Sequence, residues 1–354
     1  VKYFLDEDIS RITHDLKLTL DKLNGKKILI TGAGGFLGRY FVAVLKEFNK
    51  YAVNPVSIVA LDNHVTSNPS VATNHLKLDP NIEWIYGDAT LGSQLPDKFD
   101  YILHAAGIAS PEHYRAKPLE TIDVAVSVTR VLLEKARVDH SRVLFFSSSE
   151  IYGDPLPEFV PTNEDYRGHV ASRGPRACYD ESKRLGETLC WIYENYYNVH
   201  VSVARPFNVF GPGMMPKDFR VMPNFAASIA RGESLKVYGH GKQTRTFCYI
   251  TDAITGFLKI LIDADSPNVF NVGNPNPEIS ISNLAQLIKD TVSPSTEIEV
   301  IKYPETYPED EPNRRCPDIS RIRSLLKYEP AVSLDQGIKR FFSWSKENYS
   351  VDLL

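Results

Sequence analysis

The sequence contains no apolar run approaching the roughly 18 residues that a bilayer-crossing helix requires. Its first residues are charged and amphipathic rather than signal-like, so a cytoplasmic protein is expected. Its four cysteines (Cys178, Cys190, Cys248 and Cys316) are scattered with no C-x-x-C spacing, which argues against a zinc site and a disulfide framework. The nine histidines show no ligand spacing either, so His169, His240 and the others are read as structural and no metal is expected. A net charge of −4 gives no general attraction to nucleic acid or to an anionic membrane. A polyanionic ligand would have to be held by a few local arginines. Internal repeats and low-complexity segments are also missing. What remains is an ordinary soluble composition, 43% apolar and 24% charged, on a chain of 354 residues. That length suffices for a large core.

The chemistry concentrates in one stretch. Arg142 to Phe146 is an apolar run that reads as a buried parallel strand, and it is followed by Ser147-Ser148-Ser149-Glu150-Ile151-Tyr152-Gly153. The serine hydroxyls then emerge at the carboxyl edge of the sheet, where ligands sit in open α/β folds. Further on come Tyr179 and Lys183, a Tyr-x-x-x-Lys pair that places both side chains on one helical face. An ammonium near a phenol favours the phenolate, so Tyr179 is the expected proton acceptor and Ser148 a hydroxyl donor beside it. Such a trio can take a proton from a sugar alcohol while a hydride leaves. Taken alone, Tyr-x-x-x-Lys is more often an exposed helix turn; the serines and the glycine turn described next give it meaning.

Lys26 to Thr31 reads as a strand, followed by Gly32-Ala33-Gly34-Gly35-Phe36-Leu37-Gly38 and an apolar helix to about Phe48. Gly32, Gly35 and Gly38 form G-x-x-G-x-x-G, a variant of the dinucleotide fingerprint. The first glycine serves a tight turn, the second backbone approach to a pyrophosphate, and the third close packing of helix on strand. Phe36 and Leu37 open the helix whose N-terminus faces the phosphates. The next strand, Val56 to Leu61, ends at Asp62, placed to bind ribose hydroxyls and to repel a ribose phosphate. NAD is therefore the expected cofactor, with Asn63 beside it. Ile82 to Asp88 reads as a third strand whose Asp88 could reach the adenine. A fourth, from Tyr101, ends in Ala105-Ala106-Gly107, small enough for backbone to approach a cofactor. The expected fold is a Rossmann-type doubly wound parallel sheet with a smaller C-terminal α/β substrate-binding part.

Along the chain, residues 1–24 read as an added helix carrying Ile9, Ile12, Leu16, Leu18, Leu20 and Leu23. Residues 25–210 read as the NAD-binding unit, with the chain crossing back near 240–275, and residues 211–354 as mainly substrate-binding. Helices are expected over about 121–136, 179–197 and 222–231.

With these residues placed, the chain resembles the extended short-chain dehydrogenase/reductase superfamily over residues 25–345, and within it the UDP-glucuronate decarboxylases. The blocks carrying the resemblance are Ser148 to Pro155, Glu164 to His169, Gly174 to Arg184 and Arg314 to Ile319. It implies that Tyr179 is the base at the sugar 4-hydroxyl, Lys183 lowers its pKa and holds the nicotinamide ribose, Ser148 polarises the forming ketone, and Glu150 positions the ring or a water. Asn208, Arg245 and Arg315 are similar to diphosphate-binding positions, and Ser149, Arg220 and Tyr238 complete the expected substrate set. The related 4,6-dehydratases carry Thr-Asp-Glu where this chain has Ser148-Ser149-Glu150, so the acid that eliminates water is replaced by a hydroxyl. An epimerase, a dehydratase and a non-catalytic NAD-binding scaffold are the alternatives. The resemblance also implies a homodimer pairing through the helices near 121–136 and 179–197. Three departures bear on the sugar: Glu120 stands in place of a family lysine, Ala125 in place of an asparagine, and Phe219 in place of a glycine.

Overall fold

The apolar runs at Ile28, Ile58, Ile102, Val143 and Val201 are almost fully buried, the signature of strands covered by helices on both faces. The structure is a computed structural model, and it describes residues 3–67, 76, 78–89, 95, 98–218, 220–265, 268–303 and 312–349. The strands of the main sheet are β1 (Lys27–Thr31), β2 (Ser57–Asp62), β3 (Ile82–Tyr86), β4 (Tyr101–His104), β5 (Arg142–Phe146), β6 (His200–Pro206) and β7 (Asn268–Val272). They form one seven-stranded sheet in the order β7-β6-β5-β4-β1-β2-β3, every neighbour parallel. The order reverses next to β1, so the carboxyl ends of β1 and β4 diverge there and open a crevice.

The helices used below are α1 (Asp6–Asp15), α2 (Phe36–Asn49), α3 (Thr129–Asp139), α4 (Ala177–Tyr197), α5 (Val221–Arg231), α6 (Ile250–Asp263) and α7 (Leu334–Asn348). On one face of the sheet, Phe41 of α2, Phe146 of β5 and Phe257 of α6 form an aromatic cluster, with Phe146 and Phe257 4.7 Å apart and edge to face. A buried polar network joins β6 and β7 to the turn after β5. Tyr152 Oη donates to Asn271 Oδ1 at 2.7 Å, Arg205 donates to Tyr152 Oη at 2.7 Å, and Glu187 pairs with the same guanidinium. Beyond the main sheet, Thr244–Arg245 pairs parallel to Arg314–Arg315, and this register sets Arg245 directly opposite Arg315. Among the described residues no helix is long and apolar enough to cross a membrane.

The structure differs from three sequence expectations. The segment before β1 is not one helix: α1 stops at Asp15 and a short turn restarts at Lys17. Leu16, Leu20 and Leu23, spaced four and three apart, share the buried face, and Leu18, two positions from Leu16 and from Leu20, faces solvent at 83% exposure. The helix expected near 121–136 comprises Pro118–Asp123, a wide turn at Val124–Val128 and α3. Strand β3 ends at Tyr86, which leaves Asp88 exposed beyond it.

Helix α1 is tied across the molecule by Asp8, which is completely buried. It accepts from Tyr249 Oη at 2.6 Å and from Arg340 Nη1 of α7 at 2.8 Å. Asp8→Ala strands a buried phenol and should lower unfolding stability by about 2–4 kcal/mol, read as a fall in the urea midpoint.

Candidate functional site

The glycine turn is shaped for a dinucleotide. Gly32 has φ +69°, and a Cβ there would lie 2.6 Å from the Ala106 backbone. A Cβ on Gly38 would lie 2.0 Å from the Gly32 carbonyl oxygen, so the close approach of α2 to β1 needs that glycine. Gly35 caps α2 with no side-chain hydrogen bond, which leaves the helix's first N–H groups, at Phe36 and Leu37, facing the cleft. Asp62, at the end of β2, accepts from Gly34 N at 2.8 Å and from Ser67 Oγ at 3.1 Å. A cradle without side chains at a helix N-terminus, with an acid at the next strand end, fits NAD.

Two clefts open at this edge, one of about 540 Å³ and one of about 220 Å³. They share Ala109, Glu150, Asn208, Val209, Met214 and Arg220, so they form one continuous trough. The larger is lined by Gly32, Gly35 to Gly38, Ala105, Gly107, Ser148, Ser149 and Tyr179. The smaller is lined by Arg176, Tyr238, Arg245 and Arg315. A dinucleotide in the first would bring its reactive end to Tyr179, beside whatever occupies the second.

Tyr179 and Lys183 both point inward from α4. Tyr179 is stacked on Tyr114, ring centroids 5.3 Å apart at 14°. Burial pushes its phenol up to about 12, against the opposing hydrogen bond from Ser148. Lys183 Nζ donates to the Phe146 carbonyl at 2.7 Å and lies 5.9 Å from the Tyr179 ring centroid. Burial lowers it to about 8. The lysine is thus anchored to the end of β5 behind Gly107 rather than bonded to the phenol. Burial, with Lys183 adding to it, also pushes His104 down to about 3, so this imidazole is neutral at physiological pH.

Glu150 does not project freely toward a sugar. Its carboxylate is bound by Arg315 through two hydrogen bonds of 2.5 and 2.7 Å and by Arg176 Nη2 from the start of α4. Burial alone would raise its pKa, but Arg176 first and then Arg315 hold it well below the usual carboxylate range. Arg220 is paired with Asp218, one contact being 2.7 Å. Asn208 sits at φ +39° and donates from Nδ2 to the Thr246 carbonyl at 2.8 Å, while Arg245 is braced by the Thr244 carbonyl at 2.8 Å. Tyr238 stacks on Tyr303 at 6.0 Å.

Most expected residues therefore meet, and a few do not. Asn63 and Asp88 are exposed and line neither cleft, and Asp62, Ala106 and Lys183, set behind the surface, line neither as well. Asn63 instead accepts from the Val65 amide at 3.2 Å, closing the turn after β2. Glu120 is also exposed, off both clefts, so the loss of the family lysine changes a surface helix and not the trough. Ala125 is buried within the wide turn, and Phe219 lies outside the described residues. Two residues escaped sequence reasoning: Arg176, although it lies three positions before Tyr179 at the helix start, and Tyr114. Among the described residues no cluster of His, Cys, Asp or Glu could hold a metal.

Because Glu150 titrates below its ordinary value of 4.5 in the folded state, its pairing stabilises the protein fully above that pH. The contribution is lost as pH falls through the depressed value. Acid unfolding of the wild type should steepen below about pH 4.5, and Glu150→Gln should flatten that part of the stability–pH curve.

The profile of the NAD dependent epimerase/dehydratase family matches residues 28–273. UDP-glucuronic acid decarboxylase 1 of Danio rerio is 39% identical over 321 residues, covering 91% of this chain and 73% of that protein. UDP-glucuronic acid decarboxylase 2 of Arabidopsis thaliana is 38% identical, covering 90% and 67%. Among solved structures, dTDP-glucose 4,6-dehydratase of Streptomyces venezuelae superposes with a TM-score of 0.81 at 22% identity over 93% of this chain and all of that one. UDP-glucuronic acid 4-epimerase of Bacillus cereus, solved with UDP-glucuronic acid and NAD, gives 0.72 at 26% identity over 91% and 99%. A glycine cradle, an acid after β2 and a Tyr–Lys helix at the sheet edge are thus features of a chain that belongs to the NAD dependent epimerase/dehydratase family.

Proposed function

We propose that this protein decarboxylates UDP-glucuronic acid to UDP-xylose with NAD as cofactor. The observation that carries the reading is the pair at 149 and 150: a hydroxyl stands where a dehydratase has its acid, and the next carboxylate is held ionised by two guanidinium groups. An acid so stabilised is a poor base. Water elimination across the sugar 5,6 bond lacks both its donor and its acceptor here. The identity to UDP-glucuronic acid decarboxylases across nine-tenths of the chain supports the same reading.

NAD, when bound, takes a hydride from carbon 4 of the sugar and gives it back, so the reaction has no net redox change. Tyr179 accepts the 4-hydroxyl proton, and Ser148, bonded to it, steadies the oxygen as it becomes a ketone. The carboxylate at carbon 6 is then β to that ketone. The bond between carbons 5 and 6 breaks, CO₂ leaves, and the electron pair is taken up as an enolate, which takes one proton from solvent water at carbon 5. Lys183, fixed to the end of β5, places a positive charge behind Gly107, and Arg245, opposite Arg315 whose fork holds Glu150, supplies donors for the diphosphate.

Mass spectrometry of protein incubated with NAD and UDP-glucuronic acid should find a product lighter by CO₂ and no accumulated NADH. A product of unchanged mass and altered configuration would make it a 4-epimerase. Tyr179→Phe should lower kcat by about 10²–10⁴-fold while the protein stays folded.

We further infer a homodimer in the cytoplasm. Leu119 and Ile122 before the wide turn, and Leu185, Trp191 and Tyr197 on α4, are large apolar side chains left exposed on adjacent helices. Light scattering should give twice the chain mass for the wild type, and Trp191→Glu should shift the protein to monomer.

A further inference from the structure

The segment preceding β1 lies outside the part of the chain that matches the family, yet it enters the cofactor cleft. Its anchors are set deep. Besides Asp8, Thr19 Oγ1 donates to Asp263 at 2.7 Å and Lys22 Nζ reaches the other oxygen of that carboxylate at 2.7 Å. Helix α1 is thereby fixed against α2, α6 and α7, and it delivers Tyr3 and Phe4 into the interior at 4% exposure each. Phe4 packs edge-on against Tyr40 of α2 at 4.8 Å, and Tyr3 against Phe4 at the same distance.

Tyr3 lies between the two halves of the cleft. The Arg39 guanidinium, one turn into α2, sits 4.6 Å from its ring centroid and bonds the Gly34 carbonyl of the glycine turn at 2.6 Å. On the other side is Gly213, at φ +93°, where a Cβ would come 2.5 Å from the ring. The ring faces the larger cleft together with Gly35 to Arg39 from one half and Met214 to Asp218 from the other. Tyr40 Oη fixes the same opposite segment by donating to the Pro212 carbonyl at 2.9 Å. We propose that Tyr3 is a cofactor-retaining residue, a wall of the dinucleotide cleft that clamps the glycine turn against residues 212–218 and slows release of NAD. A flat ring under a guanidinium and over a bare backbone is a contact that only an aromatic side chain makes on both sides.

The chemical use follows from the proposed reaction, on which this one step rests. An enzyme that must return a hydride to the sugar it came from loses its product if NADH departs midway. Slow exchange of the cofactor protects that cycle.

The test is the rate of NAD release from loaded protein, followed by displacement without any sugar nucleotide, so its outcome is independent of the substrate reading. Tyr3→Leu keeps apolar volume but removes the ring, and should speed release about tenfold or more. Tyr3→Phe should restore slow release, because the ring and not the hydroxyl makes the clamp. Thermal midpoints measured on the NAD-free proteins separate release from unfolding. A folded Tyr3→Leu protein that releases NAD at the wild-type rate would overturn the proposal, as would a Tyr3→Phe protein that releases it as fast as Tyr3→Leu.

Discussion

The trough is organised by one half-buried carboxylate. Glu150, just past the end of β5, is shared by Arg176 at the start of α4 and Arg315 of the strand pair from the second half of the chain. The register that aligns Arg245 with Arg315 puts two positive charges side by side, an arrangement that is unfavourable without an anion between or near them. Burying three charged groups costs desolvation, and such clusters are weak sources of net stability. What this one supplies is position. The nucleotide-binding half, the helix of Tyr179 and the arginine strands are brought to a common point.

That arrangement also separates the roles of two neighbouring groups that read alike in the sequence. Tyr179 and Lys183 share a helical face, but the lysine is drawn to the Phe146 carbonyl while the tyrosine is held by Ser148 and Tyr114. Burial acts on them in opposite directions, raising the phenol to about 12 and lowering the ammonium to about 8.

The parts legible in the sequence are those fixed by short spacing. Gly32, Gly35 and Gly38 act through the backbone of one turn, Asp62 lies at a strand end, and Tyr179 and Lys183 are four apart on one helix; each relation is local, so the pattern of residue types discloses it. Strands β1 to β6 follow from apolar runs with the same directness, whereas β7 is fixed by its pairing with β6. The parts that were not legible depend on distant pairings. Nothing near Glu150 in sequence says that it will meet Arg315 across 165 positions. Leu18 is apolar like its neighbours, but two positions from Leu16 and Leu20 put it on the opposite face, which the run of leucines hides. Glu120 carried weight as a lost lysine, and its place on an exposed helix removes that weight.

The same long-range logic distinguishes this site from a dehydratase built on the same frame. At 22% identity the dehydratase of Streptomyces venezuelae shares the fold, so the frame alone does not select the chemistry. Selection falls to whether the groups after β5 can give and take protons. Ser149 has no acid proton to offer near neutral pH, and Glu150 has two guanidinium groups stabilising its ionised form. Once carbon 4 is a ketone, loss of the β-carboxylate as CO₂ needs neither an acid at 149 nor a base at 150. The substituents of the sugar, rather than an additional catalytic group, then determine the outcome, and a site that has disarmed its carboxylate to position its arginines is suited to that reaction.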